Sequence, residues 1–495
     1  AYGGRFGDLD LTPNIDRIAD GGMRFDRCYV GNSICAPARA TLLTGKHSHL
    51  NGVRDNKNVF DGSQQTFPKL LQRAGYQTAM IGKWHLKSEP TGFDYWRVLP
   101  GQGFYYQPKF RTPEGIVTLQ GYVTDLITDL SIEWLESERD RNKPFLLMYQ
   151  HKAPHRQWLP SQDHLGAFMD RPLPEPETLF DDYRGRGSAA AGAEMRIADH
   201  MGLTNDNKIE PQTALALGHE DFLEWYSQTY HRNYARLTPQ QKRGWDRVYG
   251  PMNEEFRQQD PRGQDLTRWK YQRYMQDYLA SIQSVDDNIG RLLDYLDESG
   301  LSKNTIVVYT SDQGFYLGEH GWFDKRFMYE ESFRTPLLVR WPGKVGTGTV
   351  NAELVQNLDF APTFLQAAGA EIPPDMQGIS LVPLLSGETG EWRQALYYHY
   401  YEYPGIHAVK RHYGIATQLY KLIHFYYDVD EWELYDLQAD PQEMNSVYGN
   451  PDYAAIQDSL HRQLEALREA YGDSDELTRA ILQSDLEAHI QDAAR

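Results

Sequence analysis

A cysteine near the N-terminus lies where a reactive group could be held. Cys35 is followed two residues later by Pro37 and four residues later by Arg39, in the stretch CAPARATLLTG, which continues as a predicted helix. The N–H groups and macrodipole of a helix N-terminus favour an anion, and Arg39 adds a cation one turn later on that face. The alternative is a buried, unreactive thiol, which we predict for Cys28, the only other cysteine. For Cys35 the predicted helix N-terminus and Arg39 favour a reactive centre.

Polar residues also stand at the ends of two predicted strands. Lys83 and His85 end the segment QTAMIGKWH, and their side chains share a face because they are two positions apart. His155 follows the apolar strand PFLLMYQ within HKAPH, in which His151 is predicted to be solvated. Ligands of α/β sheets bind at such strand ends, but lysines and loop histidines there are also often only solvated. These residues alone leave both interpretations open.

Helices and strands alternate along the chain, which predicts an α/β fold. A helix over 67–74 precedes QTAMIGKW, an amphipathic helix over 121–140 precedes PFLLMYQ, and a long helix over 268–299 precedes NTIVVYTSDQG. Continuous apolar strands of this kind are typical of a sheet that is covered on both faces. We therefore predict that the polar strand ends meet at one edge of such a sheet.

Two regions depart from this alternation. From about 160 to 265 no strand series is visible, and we predict an insertion of helices and loops over the face that carries the polar strand ends. From about 390 the sequence predicts strands rich in aromatic residues, followed by the helix DYAAIQDSLHRQLEALREA. The predicted domains are thus an N-terminal α/β domain over 1–385, which contains Cys35 and the polar strand ends, and a C-terminal subdomain over 386–495.

The composition excludes several classes of protein. The 495 residues are 40% hydrophobic and 24% charged, as in soluble globular proteins. The net charge of −19 argues against binding to nucleic acid or to anionic lipid, and no apolar run approaches the ~18 residues that span a membrane. No signal peptide is recognisable, and the abrupt opening AYGGRFGDLD suggests a mature or trimmed product.

The motif C-x-P-x-R, followed by leucines and a T-G pair, resembles the signature of type I sulfatases, members of the alkaline-phosphatase superfamily. The segments TPNIDRIA, GKWHL, APH and SDQGFYLGEHGWFDKR resemble the same family. The resemblance implies an alkaline-phosphatase-like fold, with a large mixed sheet sandwiched by helices and a small C-terminal antiparallel sheet and helix. It also implies a sulfuric ester hydrolase whose cysteine a maturase has oxidised to formylglycine.

The resemblance assigns residues to the three tasks of sulfate-ester cleavage: nucleophilic attack, binding of the sulfate and protonation of the departing oxygen. Formylglycine at position 35 carries a hydrated aldehyde, and one of its hydroxyls attacks sulfur. Arg39, Lys83 and Lys325 hold the sulfate and stabilise the developing charge. Either His155 or Lys325 protonates the departing oxygen, and the sequence does not choose between them.

The remaining roles concern the second hydroxyl and a metal ion. His85 assists the second hydroxyl, which loses its proton, expels sulfate and regenerates the aldehyde. Asp312 and Gln313, together with the modified Cys35, correspond to the ligands of one divalent cation, which is Ca²⁺ in most such enzymes. The cation and Asp312 lower the proton affinity of the nucleophile.

One part of the family pattern is missing from the printed sequence. In sulfatases, a first strand that ends in a metal-binding Asp-Asp pair precedes TPNIDRIA, and this sequence starts too late to contain it. Asp8 and Asp10 lie on the wrong side of AYGG and are not assigned to that pair. Asp286 and Asp287 are predicted to be surface or packing charges.

A cationic loop is the remaining candidate for substrate binding. His407, Lys410, Arg411 and His412 lie between two C-terminal strands, where a substrate contact and a solvated hairpin loop are equally good interpretations.

The sequence most resembles those of bacterial polysaccharide sulfatases. This implies a secreted or periplasmic enzyme, and a substrate that is an ulvan-type or N-acetylglucosamine-6-sulfate-type carbohydrate. The alternatives are a phosphonate or phosphate monoester hydrolase of the same superfamily and a catalytically silent glycan-binding protein.

Overall fold

A computed structural model describes residues 5–388 and 390–493 of the chain. Its strands are β1 Met23–Tyr29, β2 Gln77–Lys83, β3 Tyr95–Leu99, β4 Lys109–Thr112, β5 Gly115–Thr118, β6 Phe145–Gln150, β7 Val307–Thr310, β8 Tyr316–Leu317, β9 Phe323–Asp324, β10 Arg334–Arg340, β11 Thr349–Asn351, β12 Val355–Gln356, β13 Ala395–Tyr400, β14 His412–Thr417, β15 Tyr420–Phe425 and β16 Glu431–Asp436. Its helices are α1 Pro13–Asp20, α2 Cys35–Thr44, α3 Ser48–Asn51, α4 Phe67–Arg73, α5 Val123–Glu133, α6 Ser188–Ala191, α7 Pro211–Ala216, α8 Trp225–Arg236, α9 Pro239–Gln259, α10 Gly263–Glu298, α11 Glu330–Phe333, α12 Phe360–Ala367, α13 Val382–Leu385, α14 Ala454–Ala470 and α15 Asp475–Ala493.

The predicted α/β fold is confirmed, and the described strands of its main layer form two sheets. One part has the order β5-β4-β3-β2-β6, with β2 parallel to both β3 and β6. The other has the order β11-β1-β10-β7, with β12 also paired to β1, and β10 runs antiparallel to β1 and β7. Each sheet is mixed, because β4 is antiparallel to β3 in the first and β1 is parallel to β11 and β12 in the second. β6 and β7 are the edges that line a common cleft.

Helices cover both faces of these sheets, as the apolar strands predict. Apolar side chains of α1, α5 and α10 pack with Ala79 and Ile81 of β2 on one face. Those of α2, α4 and α12 pack with Met80 on the other face, because successive strand residues point to opposite sides. Asp286 is a packing charge of α10: it is buried and accepts hydrogen bonds from the backbone N–H groups of Asn14 and Ile15 at the start of α1.

The cleft between β6 and β7 is a cavity of about 1100 Å³. Side chains of both strands, including Phe145 and Val307, line it and are only half-buried, although they lie between the two helical layers. The polar strand ends around Asp312 form one end of the same cavity. The strand that the resemblance places before α1 falls outside the described residues.

The two peripheral regions have the predicted kinds of secondary structure. Residues 160–265 are all described and contain α6 to α9 without a strand. The C-terminal sheet is antiparallel in the order β13-β14-β15-β16, and α14 packs on one of its faces. Its other face packs on Phe327 and Tyr329, immediately beyond Lys325. None of the helices in the described part of the chain has both the length and the apolar character needed to cross a membrane.

Candidate active site

Cys35 is the first residue of α2, as the sequence predicts. The preceding residue, Ile34, is extended, and α2 ends at Gly45, which has a φ of 65° and donates its N–H to the carbonyl of Thr41. The cysteine side chain is fully buried, and its Sγ lies 3.6 Å from Nζ of Lys83 at the end of β2. The predicted reactive residue therefore faces an ammonium group at a helix N-terminus, where an anion is stabilised.

Arg39 holds the ends of three strands together. Its Nε and one terminal nitrogen lie 3.0 and 2.9 Å from Oδ2 of Asp312, which follows β7. The other terminal nitrogen donates to the carbonyl of Lys83 on β2 and to Oε1 of Gln150 on β6. The planar guanidinium has enough fixed donors to make these contacts together. Gln150 was missed in the sequence, where only its place at a strand end marked it.

A glycine allows β2 and β6 to approach each other beside this arginine. Gly82 has a φ of 109°, and a Cβ built there would lie 1.9 Å from the carbonyl oxygen of Gln150. Any side chain would therefore separate the two strands and move Lys83 away from Arg39.

The charges at this end of the cavity are mostly positive. Burial alone would raise the pKa of Asp312, but Arg39, Lys83 and Lys325 together hold it well below its usual range. Burial lowers the pKa of Lys83, and the nearby Cys35 and Asp312 oppose that change. Among the described residues, several cations thus surround one ionised carboxylate at this end of the cavity.

The predicted catalytic histidines are neutral in this environment. Burial and the charge of Lys83 lower the pKa of both His85 and His155 far below the usual value for histidine. Nδ1 of His155 lies 2.7 Å from the carbonyl oxygen of Arg156, so this nitrogen carries the proton and Nε2 is an acceptor. The prediction that His151 is solvated is wrong: it is half-buried against the cavity, and burial lowers its pKa to about 3.

Lys325 is held in a strained, charged segment. Its Nζ lies 3.5 Å from Oδ1 of Asp324, which also pairs with Arg326, and Arg326 pairs with Glu402. Asp324 and Arg326 have φ values of 82° and 107°, which side-chain-bearing residues rarely adopt and which cluster at functional sites. Nε2 of His407 lies 3.5 Å from Oδ2 of Asp324, so this residue of the cationic loop contacts the segment that positions Lys325.

The described residues do not complete a calcium site. Oε1 of the buried Gln313 has no hydrogen-bond partner, as a ligand oxygen would, but Oδ2 of the adjacent Asp312 is bound by Arg39. No group of three His, Cys, Asp or Glu side chains in the described ranges could hold a metal ion, and Asp8 and Asp10 are exposed. Ca²⁺ takes six to eight oxygen ligands, so its binding here stays a prediction.

The structure gives Arg411 a partner within the protein. Its buried guanidinium donates to the carbonyl of Tyr403 and forms an ion pair of 3.0 Å with Asp485 of α15. The neighbouring Lys410 pairs with Asp428. The structure therefore does not bring Arg411 to the cavity, and its charge is neutralised at the interface with α15.

His412 is also occupied within the fold. It is fully buried; its Nδ1–H donates to the carbonyl of Lys410 at 2.8 Å, and its Nε2 accepts from the N–H of Met328 at 3.1 Å. Both ring nitrogens are thus satisfied in the neutral form, and no donor or acceptor is left for a substrate. Burial lowers the pKa of His412 to about 3.

This neutral histidine predicts a loss of stability in acid. Below about pH 6.5 the unfolded chain binds a proton at His412 whereas the folded chain does not. The contribution of this residue to the free energy of unfolding is therefore complete above that pH and decreases as the pH falls towards the pKa of the folded state. Between pH 7 and pH 5 this residue alone should cost about 2 kcal/mol. Urea unfolding of His412→Gln should show a smaller pH dependence than the wild type, whereas the exposed His231→Gln should not. An equal pH dependence in both variants would contradict this assignment.

Comparison with known proteins agrees with this geometry. The chain matches the sulfatase family over residues 2–370 and the C-terminal domain of N-sulphoglucosamine sulphohydrolase over residues 318–470. An N-acetylglucosamine-6-O-sulfatase of Bacteroides thetaiotaomicron is 53% identical over 475 residues, which are 95% of this chain and 84% of that protein.

Solved structures share the fold. One, described as a complex with its substrate D-glucosamine-2-N,6-O-disulfate, has 52% identity and a TM-score of 0.90, and 94% of each chain is covered. A phosphonate monoester hydrolase from Silicibacter pomeroyi has 20% identity and a TM-score of 0.64 over 93% of this chain and 91% of its own, which shows the fold alone. The chain that carries the Cys35 motif belongs to the sulfatase family.

Proposed function

We propose that this sulfatase hydrolyses the 6-O-sulfate ester of an N-acetylglucosamine or glucosamine residue in a sulfated carbohydrate. The observation that carries the proposal is the cation-lined pocket at Cys35, in which the ammonium of Lys83 faces Sγ at 3.6 Å. The relatives at 53% and 52% identity, one named for this activity and one bound to a 6-O-sulfated glucosamine, support the choice of sugar and ring position.

Cys35 fits the role of the residue that is converted to formylglycine. That group would supply a hydrated aldehyde as the nucleophile, at the N-terminus of α2 where a developing negative charge is stabilised. Because the Cys35 side chain is fully buried, we infer that a maturase reaches it before α2 packs against its neighbours.

The remaining residues bind the sulfate and move protons. Arg39, Lys83 and Lys325 are positioned to neutralise the sulfate oxygens as charge develops on them. We assign the proton for the departing oxygen to Lys325, because Nε2 of His155 is an acceptor while Nδ1 keeps its proton on the Arg156 carbonyl. His155 is then a hydrogen-bond acceptor for a substrate hydroxyl.

The proposal also includes a metal ion and a cellular location, both implied by the resemblance. Ca²⁺ bound through Asp312 and Gln313 requires oxygen ligands beyond those of the described residues. A secreted or periplasmic location is the expectation for an enzyme that acts on polysaccharides.

Sulfate release from defined sugars tests the proposed activity. Matured protein, in which mass analysis has shown formylglycine at position 35, is incubated with N-acetylglucosamine-6-sulfate, with glucosamine carrying only a 3-O-sulfate, and with an aryl phosphonate. We expect sulfate from the 6-O-sulfated sugar at a rate at least about a hundredfold above the other isomer, because positioning decides which ester reaches the nucleophile.

The other outcomes separate the alternatives. Faster turnover of the phosphonate would favour a phosphonate hydrolase. No sulfate from any sulfated glycan, although the sugar binds, would make the chain a catalytically silent glycan-binding protein.

A further inference from the structure

Lys152 is a buried cation at the end of β6 that none of the roles above uses. Only 4% of the residue is exposed. Its Nζ lies 3.5 Å from the carbonyl oxygen of Arg156 and 4.6 Å from the ring centre of Tyr105. Among the described residues no carboxylate forms an ion pair with it.

Three buried lysines outside the cavity have closer partners. Nζ of Lys208 lies 2.9 Å from a carboxylate oxygen of Asp277, and that of Lys421 lies 2.7 Å from one of Glu443. Nζ of Lys270 has no carboxylate partner among the described residues, but it donates to two carbonyl oxygens at 2.9 and 3.0 Å. An ammonium removed from water without such a partner is destabilised by several kcal/mol. The environment of Lys152 therefore indicates that a bound ligand is the partner of its ammonium group.

The position of Lys152 identifies the ligand as an anion. It lines the same end of the cavity as Lys83, Asp312 and His155. Asp312 is already paired with Arg39, so it does not neutralise Lys152. A sulfate group beside Sγ of Cys35 would bring negative oxygens between these cations.

We propose that Lys152 is a further sulfate-binding residue, which contacts an oxygen of the same sulfate group that Lys83 binds. This inference rests on the proposed function, because it names a contact within that site. The contact is a charge-assisted hydrogen bond, which should strengthen the affinity for sulfate by about ten- to a hundredfold.

The surroundings of Lys152 add a second consequence. Burial, with a smaller contribution from the charge of Lys83, lowers the pKa of Lys152 to about 7. The other titratable groups that face it are Cys35 on α2, Tyr105, and His155 on its own loop. Above pH 7 the free amine is mostly neutral, so sulfate binding should be accompanied by proton uptake.

Calorimetry with inorganic sulfate tests this contact without requiring turnover. In a Cys35→Ser background, Lys152→Met should weaken sulfate binding at pH 7.5 by about tenfold or more, whereas Lys152→Arg should retain it. Titrations in buffers of different ionisation enthalpy should show uptake of up to about one proton with Lys152 and less with the arginine, which keeps its charge at this pH.

The arginine variant also serves as the control for His155, because it preserves the neighbouring charge while removing the titration at position 152. Equal sulfate affinity in the methionine and lysine proteins, both folded by circular dichroism, would overturn the proposal, and so would the absence of measurable sulfate binding. A failure of the proposed function is separate, since it would appear as sulfate binding at Lys152 without sulfate release by the matured enzyme.

Discussion

Replacing Cys35 with serine should stop catalytic turnover, with a loss of at least about a thousandfold in sulfate release. Serine offers one hydroxyl where the hydrated aldehyde has two. Its oxygen can bond to sulfur while the alcohol departs with a proton, but no second hydroxyl remains to expel the sulfate. We therefore expect at most one equivalent of desulfated sugar, and an increase of about 80 Da in the mass of the peptide that contains position 35.

Cys28 provides the matched control for this substitution. It is also fully buried, and burial raises the pKa of its thiol, but it lies within β1 and packs in the apolar core formed with β10. Cys28→Ser should cost stability and leave the turnover of the folded enzyme within about twofold. Continued turnover by Cys35→Ser would remove Cys35 from the mechanism, whatever its modification.

Local sequence signals were sufficient for the elements that carry the site. The helix at Cys35 was predictable from the stretch CAPARATLLTG, and the strand that ends at Lys83 from its place after a helix over 67–74. These signals act over a few residues, so the sequence contains them directly. The positions of Lys83 and Asp312 at strand ends followed from the same reasoning.

Contacts between distant segments were not predictable in this way. Gln150 and Asp312 contact Arg39 from 111 and 273 residues away, and neither distance leaves a local pattern. Arg411 and His412 were open to two interpretations in the sequence because a run of cations resembles a solvated loop. Burial against Asp485 and the backbone of Met328, which only tertiary packing provides, gives both residues another role.

The pairing of β6 and β7 was likewise not predictable from local sequence. Both strands read as buried central strands because their residues are apolar. In the described chain each pairs on one side only, with β2 and β10 respectively. The strand pattern thus predicted the helical layers on both faces, whereas the pairing along the sheet depends on which segments lie beside each edge.

Replacing Arg39 with methionine should reduce both stability and activity. The change takes the guanidinium partner from Asp312, whose side chain is 15% exposed, and removes the link from β7 to Lys83 and Gln150. Breaking one half of a buried ion pair costs about 3–5 kcal/mol, and we expect a loss at or below the lower end of that range because Lys83 and Lys325 still face the carboxylate. Loss of a sulfate-binding cation should lower kcat by about a hundredfold or more. Urea unfolding and sulfate release at saturating substrate measure the two effects.

Two further variants decide whether the ion pair is the cause. Arg39→Met combined with Asp312→Asn should recover part of the lost stability, since the carboxylate that had lost its guanidinium partner is removed, but it should recover no activity. Arg111→Met breaks an exposed pair with Glu89, whose nitrogen and oxygen are 3.1 Å apart, and should cost less than about 1 kcal/mol. If Arg39→Met were as stable as Arg111→Met, the three strand ends would be held by apolar packing, and Arg39 would act on the substrate alone.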